Sequence, residues 1–345
     1  MAYKLMITWI GAGLISYLLT KLFSIELRTI AHFQQIMYTA VAVGLYINVI
    51  SIDTQTFKKN FKTITSIILV GVPLKIFLPG TIIAWLLPGN AQIAYLCATV
   101  IAQIDPIAAA RFLEGSKLSK KSETILRVWS SFDDPVTVLF AFYIFLPIAL
   151  ATNQFNFGQY FFYILRDIIV CVLTYFLYKK FLKSQRAKKF FDIAIVVIII
   201  GYSSLSGSFL LPAAIGLFIR PLTGGKIIKV TLDIIFYMSA VVIASLATNL
   251  TINWFSGLIL AFSTFFLAQI IVTLLFIRDS NENKIRIMFG HQNGMTAALL
   301  TVTLEMSGLE SNNLFSITLP AIVLVTIFYF TSNSLIDRIL PPSAQ

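Results

Sequence analysis

The sequence is poor in charge, and in acidic charge above all. Of its 345 residues only 12% are charged and 58% are hydrophobic, whereas charged residues make up about 25% of an ordinary soluble domain. So few charges cannot clothe a water-facing surface, and lipid is the expected solvent. Acids number 15 against 26 lysines and arginines, a net charge of +11. That excess invites a nucleic-acid reading, but a basic soluble binder would not carry apolar runs long enough to span a bilayer roughly every thirty residues. Cysteine is nearly absent. Cys97 and Cys171 both lie within apolar segments and are expected as buried small hydrophobes without a disulfide. Metal-ligand spacing, a nucleophile motif and a phosphate-binding glycine loop are also lacking, so an enzyme is not expected and no cofactor is implied. A small-residue cleavage site is missing after the first apolar stretch, Leu5 to Phe23, which is preceded by a lone Lys4. It reads as a retained helix and not as a signal peptide.

Apolar runs are what the chain has in abundance. At about twenty apolar residues per span, segments fall near 5–23, 33–51, 63–87, 91–113, 124–150, 159–182, 190–205, 208–220, 230–249, 254–277, 285–306 and 314–336. The fold class is therefore an all-α polytopic membrane protein of about twelve transmembrane helices. The seventh and eighth segments are short and barely separated by Ser203 to Ser208, which leaves one long, broken span as the alternative. Lys and Arg gather on alternate connections: Lys58, Lys59 and Lys62; Lys117, Lys120 and Lys121; Lys179 to Lys189; Arg220, Lys226 and Lys229; Arg278, Lys284 and Arg286. Basic residues concentrate in cytoplasmic loops. Their alternation predicts an even number of spans, an inner-membrane location and both termini in the cytoplasm. The densest cluster, Lys179 to Lys189, has the composition to meet anionic lipid headgroups, but loops of this kind usually just fix orientation, and that is the reading taken.

Three segments carry polar chemistry at membrane depth. In the fifth, Trp129-Ser130-Ser131-Phe132-Asp133-Asp134-Pro135 sets two adjacent carboxylates and a proline inside an apolar span. Each aspartate at a helix centre costs about 2.5 to 3.5 kcal/mol on insertion scales. Pro135 lacks an N–H, so the carbonyl of Ser131 loses its helical partner and can face an ion or a polar cavity. The plainer reading is a polar pair that only stabilises helix packing. The fourth segment holds Ile101-Ala102-Gln103-Ile104-Asp105-Pro106, where a proline frees the carbonyl of Ala102 beside a third embedded carboxylate. Two such motifs on consecutive helices suggest a discontinuous-helix ion site near the midplane. In the eleventh, Phe289-Gly290-His291-Gln292-Asn293-Gly294-Met295-Thr296 brackets polar side chains between glycines, a sequence able to unwind. His291 is a candidate proton relay, with a hydrogen-bonded structural group as the alternative. Lys75, between Pro73 and Pro79, is deep enough to counter-charge the aspartates, to pair with Glu305 or to contact backbone carbonyls. Arg166, Asp167, Asp192, Asp233 and Glu305 are the other embedded charges, of which Arg166, Asp192 and Asp233 are candidates for pairing or for an interfacial position.

From Pro73 to Pro135 the order of these motifs resembles the monovalent cation/proton antiporter superfamily, which includes sodium/proton antiporters of bacteria and eukaryotes. Gly44-Leu45-Tyr46-Ile47-Asn48, Ile104-Asp105-Pro106, the basic run Lys117 to Lys121, and Ser130 with Asp133-Asp134 follow one another as the family's motifs do. Gly207 to Leu217 is similar to its glycine-punctuated middle helix, and Gly290 to Gly294 to its second broken helix. The resemblance implies inverted repeats with two broken crossing helices. It also implies a core transport bundle over 63–151 and 254–338, a dimerisation panel over 1–62 and 152–253, and a homodimer. On it, Asp134 binds the ion or proton, Asp133 is its neighbour, and Asp105 belongs to the crossing, so that Asp134 and Asp105 would hold the monovalent cation. Three positions depart from the family pattern: Trp129 where many members carry Glu, Asn293 where they carry Arg, and Ile104 where Thr is usual. The Glu and Arg pair with each other in the family, so their joint loss orphans neither. Asp133 stands where many electroneutral members have Asn, which resembles the electrogenic branch.

The expected function is secondary antiport of protons against a monovalent cation, sodium foremost with lithium or potassium as alternatives, by competition at a membrane-embedded aspartate. Asp134, Asp133 and Asp105 are the expected ion and proton sites, and Ser130, Ser131, Gln103, His291, Asn293 and Lys75 the residues supporting the pathway. A cation channel or uniporter without proton coupling is the alternative. The orientation is open to direct measurement: Lys188→Cys, in a background lacking Cys97 and Cys171, should react with a membrane-impermeant thiol reagent in everted vesicles and not in intact cells.

Overall fold

A computed structural model of the chain describes residues 2–24, 31–50, 54–87, 90–105, 109, 118–150, 157–181, 185–220, 225–248, 251–291, 293, 295–307, 309 and 313–340. Among the described residues every regular element is a helix. They are α1 (Ala2–Phe23), α2 (Phe33–Ile50), α3 (Phe61–Leu86), α4 (Ala91–Ala102), α5 (Lys120–Leu150), α6 (Phe157–Phe181), α7 (Gln185–Ser206), α8 (Leu210–Gly216), α9 (Gly225–Ala247), α10 (Trp254–Phe276), α11 (Asn281–Met288), α12 (Met295–Met306) and α13 (Asn313–Ile339). A short turn of helix, Thr54–Lys59, precedes α3. By length and composition α3, α5, α10 and α13 are each long and apolar enough to cross a membrane. The chain forms two compact units, one of Tyr3–Ser51 and Leu150–Asn249, the other of Ile52–Ala149 and Leu250–Gln345.

In the first unit α2, α7 and α8 pack around Tyr46, Ile47, Val196, Ile199, Leu211, Ile215 and Ile219. Tyr46 is buried, and its hydroxyl donates to the carbonyl of Ile219 at 3.0 Å, satisfying a backbone group just past the end of α8. The junction of α7 and α8 is a true break. Gly207 lies at φ +69°, a left-handed conformation that a side chain would strain, so the seventh and eighth segments are separate helices. Arg166 pairs with its chain neighbour Asp167 at 2.9 Å, and Ser208 beyond the break donates to Asp167 at 2.9 Å. Charge at this depth is thus neutralised locally. Hydroxyls join α1 to α9, with Ser16 and Thr20 each 2.8 Å from Ser245. Both cysteines are free thiols as expected, but Cys171 is only half-buried where full burial was anticipated. It lies at the edge of this unit's core and not within it.

The second unit repeats one order: long helix, broken helix, long helix. α3, α4 and α5 supply it once, and α10, the pair α11 and α12, and α13 supply it again. Packing within the unit is close. A Cβ on Gly257 of α10 would stand 2.6 Å from Pro320 of α13, and one on Gly71 of α3 would stand 2.8 Å from Val272 of α10. Small residues let helix backbones approach where lipid gives no hydrophobic drive. α3 widens to a π-helical turn over Ile67–Gly71, and this accommodates Pro73, whose ring would otherwise meet the carbonyl four residues before it. α10 widens likewise over Ser263–Ala268 and α5 over Leu139–Phe145.

The starts of α5 and α11 are locked together by Asp279, in the connection between α10 and α11. Its Oδ2 accepts from Ser119 at 2.9 Å and Ser122 at 2.6 Å, and its Oδ1 from the Ser280 N–H at 2.7 Å and Asn283 at 3.1 Å. Ser119 and Ser280 are also the N-caps of their helices, so one carboxylate ties two caps. Partial burial pushes the Asp279 carboxyl up, but the bonds from Ser122, Ser280, Asn283 and Ser119 outweigh it and hold it down at about 2, below its ordinary 3.8. A group with a depressed folded-state pKa contributes stability that is complete above the unfolded value and is lost as pH falls through the folded one. The thermal stability gap between the parent protein and Asp279→Asn in detergent should therefore stay constant down to about pH 4 and close between about pH 4 and 2.

Candidate functional site

The site is built where the chain gives up helical hydrogen bonding. α4 stops at Ala102, and Gln103 turns to extended backbone at φ −63°, ψ 141°. Residues 103–105 run without helix; Pro106 lies outside the described residues. In the second repeat α11 stops at Met288 and α12 starts at Met295, with Gly290, His291 and Asn293 between them in non-helical backbone, while Gln292 and Gly294 lie outside the described residues. The two breaks meet. His291 Nε2 lies 3.1 Å from the carbonyl of Ile101, and the Asn293 amide donates to the same carbonyl at 2.9 Å and to that of Gln103 at 3.3 Å. The acceptors thus flank Ala102, the residue whose carbonyl the proline rule singles out. Carbonyls ending α11 are met as well, Ile287 by Gln269 at 3.2 Å and Phe289 by Asn333 at 2.8 Å. Unwound backbone at membrane depth needs such protein partners.

α5 behaves differently from α4. It runs through Pro135 as a continuous helix, so of the two proline motifs only Asp105-Pro106 coincides with the end of a helix. Its two aspartates are both fully buried and are held in unlike ways. Asp133 Oδ2 accepts from Lys75 Nζ at 3.1 Å and from the Ile104 N–H at 3.1 Å. Lys75 is itself fully buried, with its Nζ at Asp133. Glu305 instead accepts the Phe315 N–H at 2.7 Å, close to the start of α13. Asp134 Oδ1 meets the hydroxyl of Thr296, on α12, at 3.4 Å. One carboxylate of the pair thus faces a cation on α3 and the broken strand of α4. Its neighbour faces a hydroxyl from the other broken helix.

Trp129, one turn before Asp133, occupies the place where the family pattern has an acid. Lys75 Nζ stands 5.1 Å from the centroid of its ring, a cation–π distance. The indole Nε1 and Asp133 Oδ1 are both buried, and the charges of Asp133 and Asp134 both act on Lys75. The other sequence candidates fall as follows. Ser130 and Ser131 are buried, and both hydroxyls donate to the carbonyl of Arg127, at 3.0 and 2.8 Å. Gln103 donates to Thr137 at 2.7 Å, and Thr137 in turn donates to the carbonyls of Asp133 and Asp134, each at 3.0 Å. Asp105 is 4% exposed at the end of the extended strand, and its carbonyl accepts the Ala109 N–H at 2.8 Å. His291 lies between the two breaks, its Nε2 against the Ile101 carbonyl. Thr296, Thr137 and the Ile104 N–H were not singled out by sequence. For Thr296 the available signal was its place at the end of the glycine-bracketed stretch.

Breaking a buried ion pair by removing one partner strands a charge and costs about 3–5 kcal/mol, whereas removing both is far milder. Lys75→Met should therefore lower thermal stability in detergent sharply, and Lys75→Met with Asp133→Asn should recover most of the loss. Equal destabilisation in the single and double variants would show the two groups to be uncoupled.

Comparison with known proteins agrees with this geometry. The family model described as sodium/hydrogen exchanger, transmembrane, matches residues 40–332. A structure of the sodium proton antiporter MjNhaP1 from Methanocaldococcus jannaschii at pH 8 is similar over 99% of this chain and 99% of that one, with a TM-score of 0.69 at 15% identity. An electron-microscopy map of the same antiporter is similar over 89% of this chain and 84% of that one, with a TM-score of 0.62 at 14% identity. At such identities the likeness is one of fold. No curated protein matches the chain. The family match spans most of the sequence, from α2 to α13, and the chain belongs to the transmembrane sodium/hydrogen exchanger family.

Proposed function

We propose that this multi-pass membrane protein exchanges protons for a monovalent cation by competition at Asp134. Family membership carries the coarser statement, cation/proton antiport. The assignment to Asp134 rests on one observation: the two adjacent aspartates have unequal surroundings. The Asp133 carboxylate has a lysine and a backbone N–H on one oxygen, so its charge is already answered. Asp134 meets the Thr296 hydroxyl beside the crossing of two helix breaks, where its carboxylate can take a proton or a small cation. A single carboxylate that holds either but not both exchanges them. Movement of the unit bearing it past a fixed scaffold exposes the bound species to each side in turn.

In this reading 63–151 and 254–338 form the transport core. The segments 1–62 and 152–253 form the panel that pairs two copies, in an inner membrane with both termini cytoplasmic. Sodium is the foremost cation, with lithium and potassium as alternatives, since hard oxygen donors suit all three. Lys75, Asp133 and the Ile104 N–H hold the site's geometry, and Asp105 lines the crossing.

Asp134→Asn should reduce cation-dependent dissipation of a pH gradient in everted vesicles to background. Asp133→Asn, which leaves Lys75 without its carboxylate, should change the pH dependence or the charge moved per cycle. Sodium-driven proton movement that persists in Asp134→Asn overturns the assignment, and cation flux in proteoliposomes with no proton counter-movement replaces antiport with a uniporter or channel.

A further inference from the structure

We propose that Thr296 is a ligand of the transported cation and a determinant of its selectivity; this rests on Asp134 being the exchange site. A cation leaving water must find oxygens to replace its hydration shell, and their number and field strength decide which ion is held. One carboxylate does not suffice. The hydroxyls near the aspartates differ in what they have left to offer. Ser130 and Ser131 turn their protons back to the carbonyl of Arg127, and neither has a hydrogen bond to an aspartate carboxylate. Thr137 donates to the carbonyls of Asp133 and Asp134 and accepts from Gln103, so its oxygen is engaged from both sides. Ile104, whose N–H holds Asp133, has no side-chain oxygen. Thr296 touches the Asp134 carboxylate itself, at 3.4 Å, from the first turn of α12 after the second break.

A hydroxyl is one donor and two acceptors on a rotor, and that chemistry matches each state the site must pass through. It donates to the carboxylate, as here. It accepts from the carboxylic acid once a proton is bound. It presents a lone pair to a cation seated against Asp134. Because Thr296 and Asp134 lie on different helices of the second repeat and the first, the ion held between them also bridges the two repeats within the core unit. Valine keeps the shape of threonine and does none of the three.

The test compares Thr296→Val and Thr296→Ser in proteoliposomes, measuring sodium, lithium and potassium dependence of pH-gradient dissipation. A hydrogen bond to a charged group corresponds to about a ten- to hundredfold change in binding. Thr296→Val should raise the half-saturating sodium concentration by about that factor, with the maximal rate at saturating cation much less affected, and should alter the ranking of the three cations. Thr296→Ser should stay close to the parent on both measures. Unchanged half-saturation and ranking in Thr296→Val overturns the proposal. If the valine variant does not reach the membrane, sodium-dependent thermal stabilisation of purified Thr296→Ala and Thr296→Ser decides: loss in alanine with retention in serine supports it, and equal stabilisation overturns it. Asp134→Asn run alongside separates the two ideas. Exchange persisting in Asp134→Asn removes the site itself, whereas an inactive Asp134→Asn beside a parent-like Thr296→Val removes only the role of Thr296.

Discussion

The buried ion pair of Lys75 and Asp133 is the constraint around which the second unit is arranged. Both side chains are fully buried, so each charge is tolerable only with the other in place and with further hydrogen bonds around them. At 3.1 Å the pair joins α3 to α5, and the same carboxylate oxygen takes the Ile104 N–H, which joins both to the extended strand of α4. Three segments are thereby pinned at one point. Trp129 lies against this junction with its ring toward the ammonium, adding a weaker cation attraction without a third charge.

With Asp133 fixed in this way, the unwinding of two helices beside it becomes affordable. Each break exposes carbonyls that would otherwise sit unmet in a low-dielectric interior. Asn293 and His291 meet those at the end of α4, while Gln269 and Asn333 meet those at the end of α11. His291 and Asn293 of the glycine-bracketed stretch meet backbone, His291 with one ring nitrogen facing the Ile101 carbonyl and Asn293 donating to the carbonyls of Ile101 and Gln103. Adjacent identical residues are thus held in unlike ways, Asp133 by a lysine and a backbone N–H and Asp134 against a hydroxyl of α12, a difference made by their partners and not by their chemistry.

Much of this was legible without coordinates. Apolar runs, the alternation of basic loops, and the insertion cost of Asp105, Asp133 and Asp134 are properties of local sequence, and they led to an all-helical membrane protein with embedded carboxylates. The end of α4 and the break after α11 were legible too, because Asp105-Pro106 and the glycine-bracketed stretch are local features of the sequence. Local reasoning misjudged Cys171, whose helix presents it at the edge of a core.

Partnership was not legible. Lys75 and Asp133 are 58 residues apart, and Thr296 and Asp134 are 162 apart, separations across which composition and periodicity carry no information about which side chains meet. The sequence by itself determined the solvent, the helices and the places where helices fail, since each follows from transfer free energy or backbone sterics over a few residues. Only the tertiary structure decided which aspartate is answered by a lysine, which faces a hydroxyl and which polar groups are consumed by exposed carbonyls, because those depend on how close the packing of α3, α4, α5 and α12 brings atoms that the chain itself keeps far apart.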